Sequence, residues 1–477
     1  MTEVVRPLFL AGHDRHSAET AEVRNPYDGT LVARVSVAGS TEYEEAAQAC
    51  VAAAPVVAAL PVHERARILR KVSQALAERR DEFARRIVAE AGKPLRDART
   101  EVDRAAMTFE VAAEEARRLA GGGEVLPMDL APHGEGRVAL TRRVPIGPIA
   151  AISPFNFPLN LVAHKLAPAL AAGNPLVLKP ATRTPLSALA LAALMRDAGL
   201  PEGALSVLPM SRETGDLLVR DDRFRLLTFT GSAEVGWAMK AKAGRKKVVL
   251  ELGGNAAVIV DEGADVAVAA ERTATGGFSY AGQSCISVQR VYVHDRQWDA
   301  FRDAFLERVD ELATGDPADE RTAVGPLITE GDVERIETWT AEAVAAGATV
   351  LRGGTRTSNR VFPPTVLTNV PADAKICAEE AFAPIVILER VASLDAAIEA
   401  VNASAFGLQA GVFTPSLEGA LRAFDRLEVG GVLVNDVPTY RIDHMPYGGV
   451  KDSGLGREGP RYAIEDMSEI RLLIVRR

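Results

Sequence analysis

Cys285, Glu251 and Asn156 are the residues whose types and settings offer chemistry. Cys285 closes the segment 282–285 (GQSC), Glu251 ends an apolar run and opens 251–254 (ELGG), and Asn156 sits among aromatics and prolines at 153–158 (SPFNFP). A free thiol has a reference pKa of about 8.5, so only a few per cent is thiolate at neutral pH unless its surroundings help. A carboxyl at the end of an apolar strand, beside a glycine pair, falls in a cleft where burial raises its pKa and suits it to general-base work. An asparagine amide just past a strand end can donate to a developing oxyanion, and losing one such donor typically costs about 2.7–4 kcal/mol. Each residue also has a plain structural reading: a packed thiol, a solvated strand-end carboxylate, a turn-forming amide.

Two further segments suit a dinucleotide. Gly231 and Ser232, in 228–236 (TFTGSAEVG), fall where a strand turns into a helix, and helix N-termini offer free N–H groups and a positive dipole end to a pyrophosphate. The spacing is not GxGxxG, and a glycine turn with a serine cap reads equally well. Lys179 ends the strand 176–178, where parallel sheets bind ligands and a lysine reaches a ribose or phosphate.

The elements that must position these residues follow from periodicity. Residues 64–92 read as one long helix, stopped by Gly92 and Pro94, and a second helix covers about 97–119. From 149 onward short apolar runs alternate with helical stretches: strands at 149–152, 176–178, 205–208, 227–230 and 248–252, with helices at 160–172, 185–198, 213–220 and from 232. Such alternation predicts a parallel sheet wrapped by helices. Strands at 257–260, 288–293, 385–388, 411–413 and 432–434, with helices near 298–312, 330–346, 393–402 and 416–427, predict a second α/β unit.

Composition narrows the function. The 477 residues carry 55 Lys and Arg against 64 Asp and Glu, a net charge of −9, which argues against a nucleic-acid partner. The longest apolar run, 49–62, is broken by Pro55 and Pro61 and predicts no membrane partner. Three cysteines, Cys50, Cys285 and Cys377, make a disulfide framework improbable and fit a reducing cytoplasm. The seven histidines show no metal-ligand spacing, and there is no CxxC, GxSxG or GxxxxGK[ST].

Taken together, the motifs resemble the aldehyde dehydrogenase superfamily, in its NAD(P)-dependent, non-acylating form. FNFP, LKP, FTGSAEVG, ELGG, GQSC, EEAFAP (379–384) and PYGGVKDSGLGRE (446–458) occur in the family's order over nearly the whole chain. The resemblance implies α/β architecture: a Rossmann-like cofactor domain at 1–125 and 146–252, a catalytic domain at 253–452, and a small β oligomerisation arm at 126–145 and 463–477. It implies that the Cys285 thiolate attacks an aldehyde, that the Cys285 N–H and Asn156 hold the oxyanion, and that hydride transfer to the nicotinamide leaves a thioester. Glu251 then activates water to release the acid, with Lys165 and Glu458 as supporting or proton-relay groups. The implied cofactor residues are Ile152, Ser153, Lys179, Thr182, Arg183, Gly215, Gly231, Ser232, Gly236, Leu252, Glu380 and Phe382.

Three departures from the family pattern stand out. The position three residues after the LKP lysine, often Glu in NAD-preferring members, is Thr182 followed by Arg183. A carboxylate there would repel a 2′-phosphate, whereas Thr182 can donate to it and Lys179 pair with it, so the expectation is that NADP is accepted, either beside NAD or in preference to it. Ala383 replaces the glycine of FGP and calls for an ordinary φ, and Phe155 replaces the usual Trp. Arg104, Tyr440, Arg441 and His444 are placed at the substrate tunnel, favouring a small polar or anionic aldehyde such as lactaldehyde, succinic semialdehyde or glyceraldehyde 3-phosphate. The apolar tail 470–475 predicts a homodimer or homotetramer. A CoA-acylating dehydrogenase and a cofactor-independent cysteine esterase are the rival readings.

Overall fold

The computed structural model describes residues 5–119, 122–357 and 360–477. Two large sheets organise it. The first has the strand order 454–455, 247–251, 226–230, 149–152, 176–179, 205–207, 8–10, 13–15. Its five central strands are mutually parallel, and the outer ones join antiparallel. Ile149–Ile152 and Leu226–Thr230 are buried along their whole length, as interior parallel strands covered on both faces must be. The chain runs outward from 149–152 through 176–179 to 205–207, then returns to 226–230 on the other side. The order therefore reverses between 149–152 and 226–230, and ligands of open α/β sheets bind beyond the strand C-termini at such a reversal. Ser153 follows one of these strands and Gly231 the other.

The second sheet orders 349–352, 365–368, 385–391, 288–294, 256–260, 409–413 and 431–434, all parallel except the first. The chain crosses from one sheet to the other through Glu251–Asn255, so Glu251 lies at the junction. The segment 454–455 crosses back and pairs with Leu250 and Glu251.

The stretch read as one helix over 64–92 is two, Val62–Glu78 and Arg80–Ala91, broken at Arg79. Each half carries its own apolar face, so the periodicity runs through a bend that it cannot reveal. Gly92 does end the second half in a left-handed conformation, φ 65°. The helix Val266–Phe278 and the strands 349–352 and 365–368 had no clear periodic signal. A third, small sheet pairs Ser468–Arg476 with Arg137–Pro145 over nine residues, and Val125–Pro127 with the latter. It stands out from the body with Ile470 67 % and Leu473 56 % exposed. Among the described residues no single helix is long and apolar enough to cross a membrane.

Candidate active site

A cavity of about 540 Å³ opens at the reversal in the first sheet. Ser153, Asn156, Gly231, Ser232, Glu251, Leu252, Cys285, Glu380 and Phe382 all contribute to its wall. The thiol, the carboxyl and the amide thus converge on one space. Cys285 follows an unusual turn: Tyr280, Ala281 and Gly282 have φ of 51°, 52° and 68°. Two consecutive non-glycine residues in this region cost energy that the surroundings must offset. Gln283 does so, donating to Pro326 O at 3.2 Å and accepting from the Ile328 N–H at 2.9 Å. Asn156 Nδ2 donates to Gln283 O at 3.0 Å, which ties the amide to the cysteine turn. The ELGG glycines permit the close approach. A Cβ on Gly254 would lie 2.2 Å from Cys285 O, and one on Gly253 2.4 Å from Glu380 Oε2.

Burial pushes the Cys285 thiol up to about 12; its hydrogen bond with Tyr447 and the Arg441 charge pull it down, while Glu380 and Glu251 oppose them. Burial, then the neighbouring Glu458 carboxylate, push Glu251 well above the usual carboxyl range. Neither Glu251 oxygen has a hydrogen-bond partner among the described residues. A buried, unpartnered carboxyl facing a cavity, with a strongly shifted pKa, marks a candidate functional group.

Behind it runs a chain of buried charge. Lys165 is one of thirteen buried residues of the helix Asn160–Ala172, not a surface lysine. It donates to Thr228 and Thr230 at 3.0 and 2.7 Å and lies 3.6 Å from Glu458 Oε1. Glu458 Oε2 meets Arg441 at 3.0 Å. Burial would raise the Glu458 carboxyl, but Lys165, His164 and Arg441 outweigh it and hold Glu458 low. Arg441 also lies 3.1 Å from His164, which lies 2.8 Å from Asp443, which Arg104 grips with two bonds of 3.1 and 2.9 Å.

The cofactor end fits a dinucleotide. Ser232 caps the helix Ala233–Lys242 without a side-chain hydrogen bond of its own, and its hydroxyl lines the cavity. A second cavity of about 690 Å³ continues past Phe229 and is lined by Ile152, Lys179, Arg212 and Gly215. A Cβ on Gly215 would lie 3.0 Å from the Lys179 side chain. The carboxylates here are Glu213, Asp216 and Glu234, and Asp216 already pairs with Arg220 and Lys242. Glu380 accepts the Gly254 N–H at 2.9 Å with one oxygen, and burial raises its carboxyl to about 7. Phe382 packs edge-on against Phe155, with centroids 5.8 Å apart, and carries a positive φ of 48°; Ala383 does not. Gly236 lies under Leu252, where a Cβ would come within 2.4 Å.

Thr182 and Arg183 are exposed beyond Lys179 and line neither cavity. The second cation beside Lys179 is instead Arg212, the first residue of the helix Arg212–Arg220. Sequence reasoning missed it, although it follows the strand 205–207 at its C-terminal end, where ligands gather.

On the other side of the cysteine turn is a third cavity, about 310 Å³, lined by Arg104, Arg272, Ser284, Thr439, Tyr440 and Arg441 among others. Cys285 lines the first cavity, and its chain neighbours Ser284 and Ile286 line this cation-rich one. His444 is exposed and lines neither of these two cavities. Tyr447, Arg272 and the buried pair Lys93–Glu101, whose ammonium sits 3.5 Å over the Phe157 ring, were also missed. Tyr447 lay inside a quoted motif without a role.

A free cysteine and a buried carboxyl thus line one crevice at the strand-order reversal of a parallel sheet, the setting of a dinucleotide-binding enzyme. The aldehyde dehydrogenase family model matches residues 13–473, and the chain belongs to that family. It is 46 % identical over 469 residues to the 3-sulfolactaldehyde dehydrogenase of Priestia aryabhattai, covering 98 % of this chain and 97 % of the relative. Aldehyde dehydrogenase 21 from Physcomitrella patens, crystallised with the reaction product succinate, superposes with a TM-score of 0.97 at 46 % identity, covering 100 % of this chain and 99 % of the other. Glyceraldehyde-3-phosphate dehydrogenase GapN of Methanocaldococcus jannaschii, complexed with NADP, gives 0.92 at 37 % identity, covering 97 % and 100 %. The protein is an NAD(P)-dependent aldehyde dehydrogenase.

Glu458→Gln leaves Lys165 and Arg441 buried without their shared counter-charge. Breaking such a buried pair costs about 3–5 kcal/mol, so the urea midpoint falls sharply. A midpoint within error of wild type refutes the pairing.

Proposed function

We propose that the protein oxidises a small aldehyde bearing an anionic group to its carboxylic acid, with Cys285 as nucleophile, Glu251 as general base and NADP as the favoured cofactor. The observation that carries this is that Cys285 lines the crevice while its neighbours Ser284 and Ile286 line a cavity that also holds Arg104, Arg272 and Arg441.

Sγ attacks the aldehyde carbon. The oxygen gains charge beside the Asn156 amide and the Cys285 N–H, donors already fixed before the reaction. The dinucleotide, held along Lys179, Gly231, Ser232 and Glu380, supplies the hydride acceptor when bound. Glu251 then takes a proton from water, which attacks the resulting thioester and frees the acid. Lys165 and Glu458 pass that proton onward. Glu251 supports hydrolysis over transfer to CoA, and the crevice supports oxidation over simple esterase action. Lys179 and Arg212 beside the adenosine end suit a 2′-phosphate, and the GapN structure binds NADP.

The named relatives act on sulfolactaldehyde or yield succinate or handle glyceraldehyde 3-phosphate, all small and anionic. Arg104, Arg441 and Arg272 are each paired, to Asp443, Glu458 and Asp436, and Arg272, the most exposed of the three, is the cation most open to a substrate anion. The exposed arm, with the exposed Leu417, Leu421 and Phe424 of the helix Leu417–Arg426, is proposed to pack on a second copy of the chain.

A panel of aldehydes with both cofactors tests this: kcat/KM is expected to be highest for anionic aldehydes with NADP, and a strong preference for NAD or for long neutral aldehydes refutes it. Glu251→Gln is expected to keep the first-turnover burst of reduced cofactor but lower the steady state about a hundredfold or more. The wild-type steady-state rate rises with pH as the raised Glu251 carboxyl loses its proton, because only the anion accepts one, and the variant loses this rise. If burst and steady state fall together, the base is another group. Light scattering of the intact chain reads the assembly, and a monomer refutes the packing proposal.

A further inference from the structure

Cys285 Sγ lies 2.9 Å from the hydroxyl of Tyr447. The tyrosine is not a mobile surface ring. It is 3 % exposed, and its backbone exchanges hydrogen bonds with Glu458 at 3.1 and 2.6 Å. The Arg441 guanidinium lies over the ring, 3.7 Å from its centroid, and is fixed in turn by Glu458. Hydroxyl and ring are thus both held in place.

We propose that Tyr447 is a catalytic residue of this site, donating its hydroxyl proton in a hydrogen bond to the Cys285 thiolate and so setting how much nucleophile is available. The proposal rests on the reading of Cys285 as the nucleophile. A thiol is a poor donor, whereas a thiolate is an anionic acceptor, and hydrogen bonds to ionised groups are roughly twice as strong as neutral ones. The bond therefore favours the charged sulfur. The stacked guanidinium polarises the phenol in the same sense.

The other charges facing the sulfur come from three elements. Glu251, on the strand Lys247–Glu251, and Glu380, before the strand Ile385–Val391, both oppose a thiolate, as does burial; Arg441, from the loop after Gly431–Val434, favours it. Tyr447 is the neutral donor that works against burial here without placing a second cation where the nicotinamide must sit. Lowering a thiol pKa that stands above ambient raises the thiolate fraction tenfold per unit. It costs only about threefold in intrinsic nucleophilicity, so the exchange is favourable.

Tyr447→Phe removes the hydroxyl and keeps the ring under Arg441. The readout is the pH profile of Cys285 alkylation by iodoacetamide, followed on the 285 peptide by mass spectrometry. The midpoint is expected to rise by about 1 pH unit, with the rate below it falling about threefold and the high-pH limit rising by a similar factor. An unmoved midpoint overturns the proposal, and so does a lowered one, which would mean that the thiol donates to the tyrosine. Should the variant unfold, global replacement of tyrosine by 3-fluorotyrosine keeps every contact and makes the phenol a stronger donor. The midpoint is then expected to fall, and a rise overturns the proposal. Alkylation needs neither aldehyde nor dinucleotide, so this result is read apart from the oxidation assay.

Discussion

Glu458 faces Lys165 on one side and Arg441 on the other, and the whole site is arranged around that buried triad. Removing ionised groups from water is costly, and only mutual pairing with further hydrogen bonds makes it tolerable. Thr228 and Thr230 complete Lys165, and Tyr447 receives Arg441 on its ring. Because Glu458 is held anionic by its partners, its charge discourages ionisation of Glu251 nearby. Burial and that neighbouring charge together raise the Glu251 carboxyl well above the usual carboxyl range, and a carboxylate so raised is a stronger base once ionised.

The same triad reaches the sulfur. Arg441 stacks on Tyr447, and Tyr447 touches Cys285. From Lys165 to Cys285 the groups form one connected set spanning the helix Asn160–Ala172, the loop before 450 and the cysteine turn. Its far end continues through His164 and Asp443 to Arg104 in the cation-rich cavity. Groups on both sides of Cys285 are therefore linked through one largely buried network, in which charges act on one another more strongly than in water.

Position rather than residue type separates the two cavities. The crevice arises because the first sheet reverses its strand order between 149–152 and 226–230, and the chain then passes to the second sheet through the ELGG segment. The glycines there let the cysteine turn and Glu380 close onto the junction. A side chain at Gly254 would meet the Cys285 backbone, and one at Gly253 would displace the Glu380 carboxyl.

The parallel α/β alternation, the end of a helix at Gly92 and the motif residues Cys285, Glu251 and Asn156 were legible in the sequence, because buried strands need continuous apolar runs and turns need glycine. The bend at Arg79 was not, since both halves of that helix keep the same periodicity. Thr182 and Arg183 carried the expected chemistry but turn outward, while Arg212, thirty residues on, is brought beside Lys179 by the adjacent parallel strand. Arg441, expected at the substrate tunnel, and Lys165, expected as a supporting group, are both buried partners of Glu458. Sequence fixes which side chains exist and their local periodicity. Which charges share a pocket, and which are already neutralised there, depends on contacts between segments hundreds of residues apart, and only the assembled sheets bring these together.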